Sequence, residues 1–163
     1  MSSKKIGLAV CYDTKNFGSQ LQVLATDKII TELGYKTEII RYKKKLSFIF
    51  VLQTIPRFFN PYFIAGKIEK RKKQNAIRKY PDIQNKVNIR NKRFDKFVDE
   101  NFQNLSKNYC GWKSLTKASN DYDAFLCGSD QLWLPQNLGS HFFTLEFVDD
   151  NKPKISYATS FGV

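Results

Sequence analysis

The run "KIGLAVCYDTKNFGSQLQVLATDKIITELGYKTEIIRY", residues 5–42, changes its period twice. "KIGLAVCY" is a short, nearly continuous apolar stretch, the pattern of a strand covered on both faces. The polar loop "DTKNFG" follows it. From Ser19, "SQLQVLATDKIITEL" sets Leu21, Leu24, Ala25, Ile29 and Leu33 at helical spacing, with Ser19 placed to cap the helix and Gly34 to stop it. "YKTEIIRY" then alternates and turns apolar, which predicts a second strand. Strand, helix and strand in under 40 residues predict a βαβ unit, with a right-handed crossover between parallel neighbours.

Downstream the rhythm breaks over residues 43–86. "LSFIFVLQTIPRFFNPYFIAG" has the length of a membrane span, but Gln53, Pro56, Arg57, Asn60 and Pro61 interrupt it. One or two short amphipathic helices fit better, followed by the exposed basic run "KIEKRKKQNAIRKY". "VNIRNKRFDKFVDENF" places Ile89, Phe94, Phe97, Val98 and Phe102 for another amphipathic helix, and "CGWKSLTKAS" for a short one. "DAFLCG" is expected to be the third buried strand, "FFTLEFV" a fourth strand or extended edge, and "PKISYATSFGV" a fifth strand with a loop. No helix follows to cover that last strand, as an α/β layout requires. Residues 1–163 are therefore expected to form an incomplete Rossmann-like domain with a basic and apolar helical insertion at 43–86, its second domain absent.

The chain of 163 residues is 42% hydrophobic and 15% aromatic, enough for one core of domain size and against disorder. Its net charge of +12 is unevenly spread: residues 41–96 hold 17 basic residues against three acids, so the flanks together are slightly acidic. Cys11, Cys110 and Cys127 are few and far apart and there is one histidine, a pattern of a reducing compartment that argues against structural zinc. No leader pattern opens the chain, so a cytoplasmic location is expected.

Ligands of open parallel sheets bind beyond the carboxyl ends of the strands. Three loops there share a character: "NFGSQLQ" (16–22), "GSDQLW" (128–133) and "SYATSFG" (156–162) each join glycine to small polar groups. The helix start near Ser19 offers N–H donors to an anion. Each loop also has a structural alternative: Gly18 and Ser19 as turn and cap, Asp130 as a cap, Gln131 as a loop tie, Trp133 as core. His141, beside Phe142 and Phe143, reads as a packing residue, and Cys11 and Cys127 as small buried ones. Phosphate-loop, dinucleotide, nucleophile-elbow and zinc-protease signatures are absent, and no catalytic, metal or cofactor residue is assigned.

Taken in order, "NFGSQLQVLA", "YDAFLCGSDQLWLP" and "FFTLEFVDDNKPKISYATSFG" resemble the polysaccharide pyruvyl transferase family, over residues 5–42 and roughly 94–162. The resemblance implies an α/β fold, the amino-terminal Rossmann-like domain of a two-domain transferase similar to the GT-B glycosyltransferases. It implies transfer of pyruvyl from phosphoenolpyruvate to sugar hydroxyls of a cell-surface or exported glycan. Asn16, Gly18, Gln22, Ser129, Asp130, Gln131 and Ser160 are then the cleft-facing candidates, with Trp133 as packing. The family's histidine and arginines belong largely to the second half, which His141 does not replace, so the chain alone is expected to be inactive. For the basic segment two expectations stand beside a solvated insertion that packs on the missing second domain: contact with the inner face of an anionic membrane, and a polyanion-binding module. Nucleic acid is disfavoured, because the aromatics cluster in the apolar run and do not alternate with the charges.

Overall fold

A computed structural model describes residues 3–45, 61–134, 137 and 141–162, without the side chains of 61–63, 70, 129 and 130. The chain divides into two compact units, one made of Met1–Lys45 with Phe94–Val163 and the other of Leu46–Arg93.

The first unit is built on five parallel strands in the order β3-β2-β1-β4-β5: β1 (Lys5–Ala9), β2 (Lys36–Lys43), β3 (Leu105–Cys110), β4 (Ala124–Asp130) and β5 (Lys154–Thr159). This is an α/β, Rossmann-like arrangement with flanking helices. The central pairing sets Gly7 opposite Phe125 and Leu8 opposite Leu126. A β-carbon on Gly7 would lie 2.8 Å from the Phe125 ring and 2.9 Å from Ile40 Cδ1, so the missing side chain is the space that the fully buried Phe125 occupies. On that face Ala9, Ile40, Phe125 and Cys127 pack with Leu115 and Ala118 of α4 (Trp112–Ala118) and with Phe142, Leu145, Phe147 and Val148. On the other face Ile6, Leu8, Ile39 and Leu126 meet Val23 and Ile30 of α1 (Phe17–Glu32) and Phe102, just past α3 (Pro81–Asn101).

Four sequence expectations are corrected. The α1 cap is Asn16, whose side chain accepts from Gly18 N at 2.9 Å, while Ser19 is buried in the first turn. Asn16 precedes the helix by one residue, where its carbonyl-type oxygen can reach an unpaired N–H. The helical stripe Leu21, Leu24, Ala25, Ile29 and Leu33 is mostly exposed, since α1 docks instead through Val23 and Ile30. "LSKNYC" is a strand that the pattern hid, leaving "DAFLCG" as the fourth: β3 is an edge strand in which only Ser106 and Tyr109 are buried. A bulge there is held by Ser106, whose Oγ accepts from Arg41 N at 2.8 Å and donates to Lys107 O at 2.8 Å. "FFTLEFV" forms successive turns, with His141 and Leu145 at φ of 56° and 57°. Its buried residues Phe142, Leu145, Phe147 and Val148 fall at both odd and even positions, and the folded loop turns all four into one core.

The amino ends of the strands are tied by side chains. Asn104 Nδ2 donates to Asp27 Oδ1 at 2.7 Å and to Thr37 Oγ1 at 2.9 Å, and Thr37 Oγ1 donates to Asp27 at 2.5 Å. Helix α1, β2 and the approach to β3 are thereby fixed together at the end opposite the ligand edge.

The second unit carries α2 (Pro61–Lys79) and the first part of α3. The described α2 side chains are almost all exposed, so "KIEKRKKQNAIRKY" forms a solvated basic helix. Of residues 46–66, over which one or two short amphipathic helices were expected, 46–60 lie outside the described residues and 61–66 open α2. Among the described residues no helix is long and apolar enough to cross a membrane.

Gly7→Ala should lower stability by about 1–3 kcal/mol, as overpacking of a closed core does. The check is urea unfolding, with a lower midpoint at an unchanged slope.

Candidate functional site

Strand β1 has β2 on one side and β4 on the other, so the chain leaves the sheet centre in two directions and the loops after β1 and β4 diverge. That crevice at the carboxyl edge is where such sheets take ligands. Two of the sequence motifs are locked together there. Trp133 N donates to Ser160 O at 3.2 Å, and the Trp133 and Phe161 rings lie 5.5 Å apart. Gly162, at φ of 73°, comes so close that a β-carbon would sit 2.7 Å from Leu134 Cδ2 and 3.1 Å from Gln131 Cδ. A glycine is needed at this point for both its conformation and its lack of bulk.

Each candidate has a defined place. Gln131 and Ser160 are exposed on these two joined loops. Ser129 and Asp130 end β4, their side chains lying outside the described residues. Asn16 and Gly18 bond each other across the first turn of α1. Gln22 lies apart, in a groove of about 520 Å³ shared with Ile29, Leu126, Ile155 and Tyr157 along β5. Strand β5 itself is exposed along nearly its whole length.

Trp133 acts through its indole N–H, which donates to Phe143 O at 3.1 Å; Cys127 Sγ donates to the same oxygen at 3.0 Å. Burial, with Cys11 close by, pushes the Cys127 thiol up to about 12, so it stays protonated and inert. His141 is more exposed than a packing residue, with its ring edge-on to Trp112 at 6.3 Å and Nδ1 2.8 Å from Glu146 Oε2. That bond, joined by the Thr144 hydroxyl, holds the Glu146 carboxyl below its ordinary range.

Sequence reading passed over a second group at this edge. Gln20, fully buried, donates from Nε2 to Tyr12 O at 3.4 Å and so pins the loop after β1; its Oε1 has no partner among the described residues. The signal was within "NFGSQLQ", but the choice between Gln20 and Gln22 depends on which way the helix is rotated. The Arg41 guanidinium bonds the Tyr12 phenol while its Nε is buried without a partner among the described residues. Burial first, then Asp13, raises the Tyr12 phenol, so it remains a donor at neutral pH. On the other face of the sheet a recess of about 240 Å³ lies between the ends of β1 and β2, bounded by Cys11, Tyr12, Asp13, Tyr42, Lys44, Phe142 and Phe143. Among the described residues no group of three or more histidine, cysteine or acidic side chains could hold a metal.

The family model for polysaccharide pyruvyl transferase matches residues 16–163, from the α1 cap through the Gly162 loop. No curated protein matches the chain.

Gly162→Ala should loosen the joined loops without unfolding the sheet, because the strain is confined to one turn. Hydrogen exchange at the Trp133 amide should quicken by about tenfold or more, a cost of about 1.4 kcal/mol, while the β1 amides stay protected.

Proposed function

The chain belongs to the polysaccharide pyruvyl transferase family, and from that membership we propose that it forms the acceptor-facing half of an enzyme that transfers pyruvyl from phosphoenolpyruvate to sugar hydroxyls of a cell-surface or exported glycan. The observation that carries this reading is the locking of the 131–134 and 160–162 loops at the carboxyl edge of β4 and β5. Asn16, Gly18, Ser129, Asp130, Gln131 and Ser160 are the proposed cleft-facing residues, while Gln22 lies apart in the groove along β5. They are hydroxyl, amide, carboxylate and backbone groups, which suit the donors and acceptors of a sugar.

Ketal formation joins two sugar oxygens to C2 of the donor. A general acid supplies a proton to C3, the bond from C2 to the phosphate oxygen breaks, and phosphate leaves with the protons of the two hydroxyls redistributed to C3 and to phosphate. The reaction needs that acid and cations to hold carboxylate and phosphate as charge develops. The cleft residues proposed here include neither a histidine nor an arginine, and His141 is engaged by Glu146. The acid and the cations are therefore assigned to a second α/β half, and the 163-residue chain alone is proposed to be inactive.

The proposed site of action is the cytoplasmic side. The basic helix α2 is read first as solvated surface; its charge also suits a peripheral contact with anionic lipid at the inner membrane face.

Two measurements check this. Incubated with phosphoenolpyruvate and hexosides, the chain alone should release no phosphate. The protein extended in its reading frame by a second α/β half should release phosphate and yield a pyruvylated sugar. Release by the chain alone would refute the assignment of the chemistry to a second half, and a completed enzyme that pyruvylates no sugar would refute the transferase reading. For the membrane contact, the chain should pellet with anionic but not neutral vesicles and be released near 1 M salt, where the Debye length falls to about 3 Å. Equal recovery with both vesicle types would leave α2 as solvated surface.

A further inference from the structure

We propose that the recess between the carboxyl ends of β1 and β2 is the subsite that seats the ring of the acceptor sugar. Its volume is about 240 Å³, and it lies at the same edge of the sheet as the two locked loops but on the far side of β1 from them. This rests on the reading of the chain as the acceptor-facing half, and it adds where the ring sits and what holds it.

A pyranose presents an apolar C–H face and a rim of hydroxyls that both give and take hydrogen bonds. The recess offers both kinds of surface. One wall is aromatic: Tyr42 stacks on Phe142 with centroids 5.3 Å apart, and Phe143 adjoins them. The rim is polar: the Asp13 carboxylate accepts and the Lys44 ammonium donates. Apolar walls with a few convergent polar groups are the usual make-up of a small-molecule site.

The wall is also fixed in place. Phe143 O accepts both the Trp133 indole N–H and the Cys127 thiol, so the motif after β4 sets the position of the aromatic face. Trp133 is thus a positioning residue for the subsite, acting through a backbone carbonyl at some remove from the sugar. The arrangement accounts for a tryptophan at the end of a polar loop: its ring packs on Phe161, and its one polar atom reaches across to the wall.

The test is saturation-transfer NMR on the chain with methyl glycosides of glucose, galactose and mannose and of their N-acetylamino counterparts. At least one should receive saturation on its ring protons. Asp13→Ala, at an exposed position, should weaken that binding about tenfold with melting unchanged, and Phe143→Leu should weaken it comparably by removing the aromatic face. Trp133→Phe should weaken it while keeping the ring packing, and Lys113→Ala, on the outer surface of α4, should leave it unaltered. No transfer to any of the six glycosides overturns the subsite. So does a bound glycoside indifferent to Asp13→Ala and Phe143→Leu, and that outcome leaves the transferase reading standing. Binding that responds to both variants, in a completed enzyme that turns over no phosphoenolpyruvate, would remove the transferase reading and keep the subsite.

Discussion

The closing of Phe125 over Gly7 is the contact on which the first unit depends. Strand β1 is the middle of the sheet, and a side chain at Gly7 would hold Phe125 and Ile40 away from it. With hydrogen there, the ring of Phe125 sinks to full burial and meets Tyr122 at 5.2 Å and Phe147 at 5.4 Å. Phe147 in turn stacks on Phe142 at 5.7 Å. One absent side chain thus seeds an aromatic column running from the sheet centre to the loop at its carboxyl edge. Interiors packed at this density transmit small changes in shape, so the edge inherits its geometry from the centre.

The second organising group is a single carbonyl. Phe143 O is shared by donors from β4 and from the loop after it, and the turns around it place four apolar side chains in the core while Phe143 faces the recess. Turns with left-handed residues at His141 and Leu145 carry conformational cost, which the burial of Phe142, Leu145, Phe147 and Val148 offsets. A regular strand over the same residues would send alternate side chains to opposite faces, and half of these apolar groups would face water. That accounts for the irregular form of a segment whose composition suits a strand.

Charge is divided unevenly between the two units. The excess of positive charge falls mainly in Leu46–Arg93, whereas the carboxyl edge of the sheet holds neutral polar groups together with Asp13, Asp130, Arg41 and Lys44. The family match runs through both units, and the division between them is one of packing.

How much was legible in the sequence follows from what periodicity encodes. The order of strand, helix and strand, the Rossmann-like class, the three loops and the family are local properties, and "NFGSQLQ", "GSDQLW" and "SYATSFG" carried them. The edge strand β3 was not legible, because a strand with two buried residues in six leaves almost no apolar signal. Neither was the exposure of Leu21, Ile29 and Leu33, because helical spacing defines a stripe without saying whether it faces inward. Gln20 rather than Gln22 under the first loop, Tyr12 on Arg41, and Trp133 reaching Phe143 O were decided by the tertiary structure alone. Each joins residues far apart in sequence or depends on how an element is rotated about its axis, and a one-dimensional pattern fixes neither. By itself the sequence determined the opening strand, helix and strand and which loops follow the strand ends; the closing of Phe125 on Gly7 and the sharing of one carbonyl decided the shape those loops acquire.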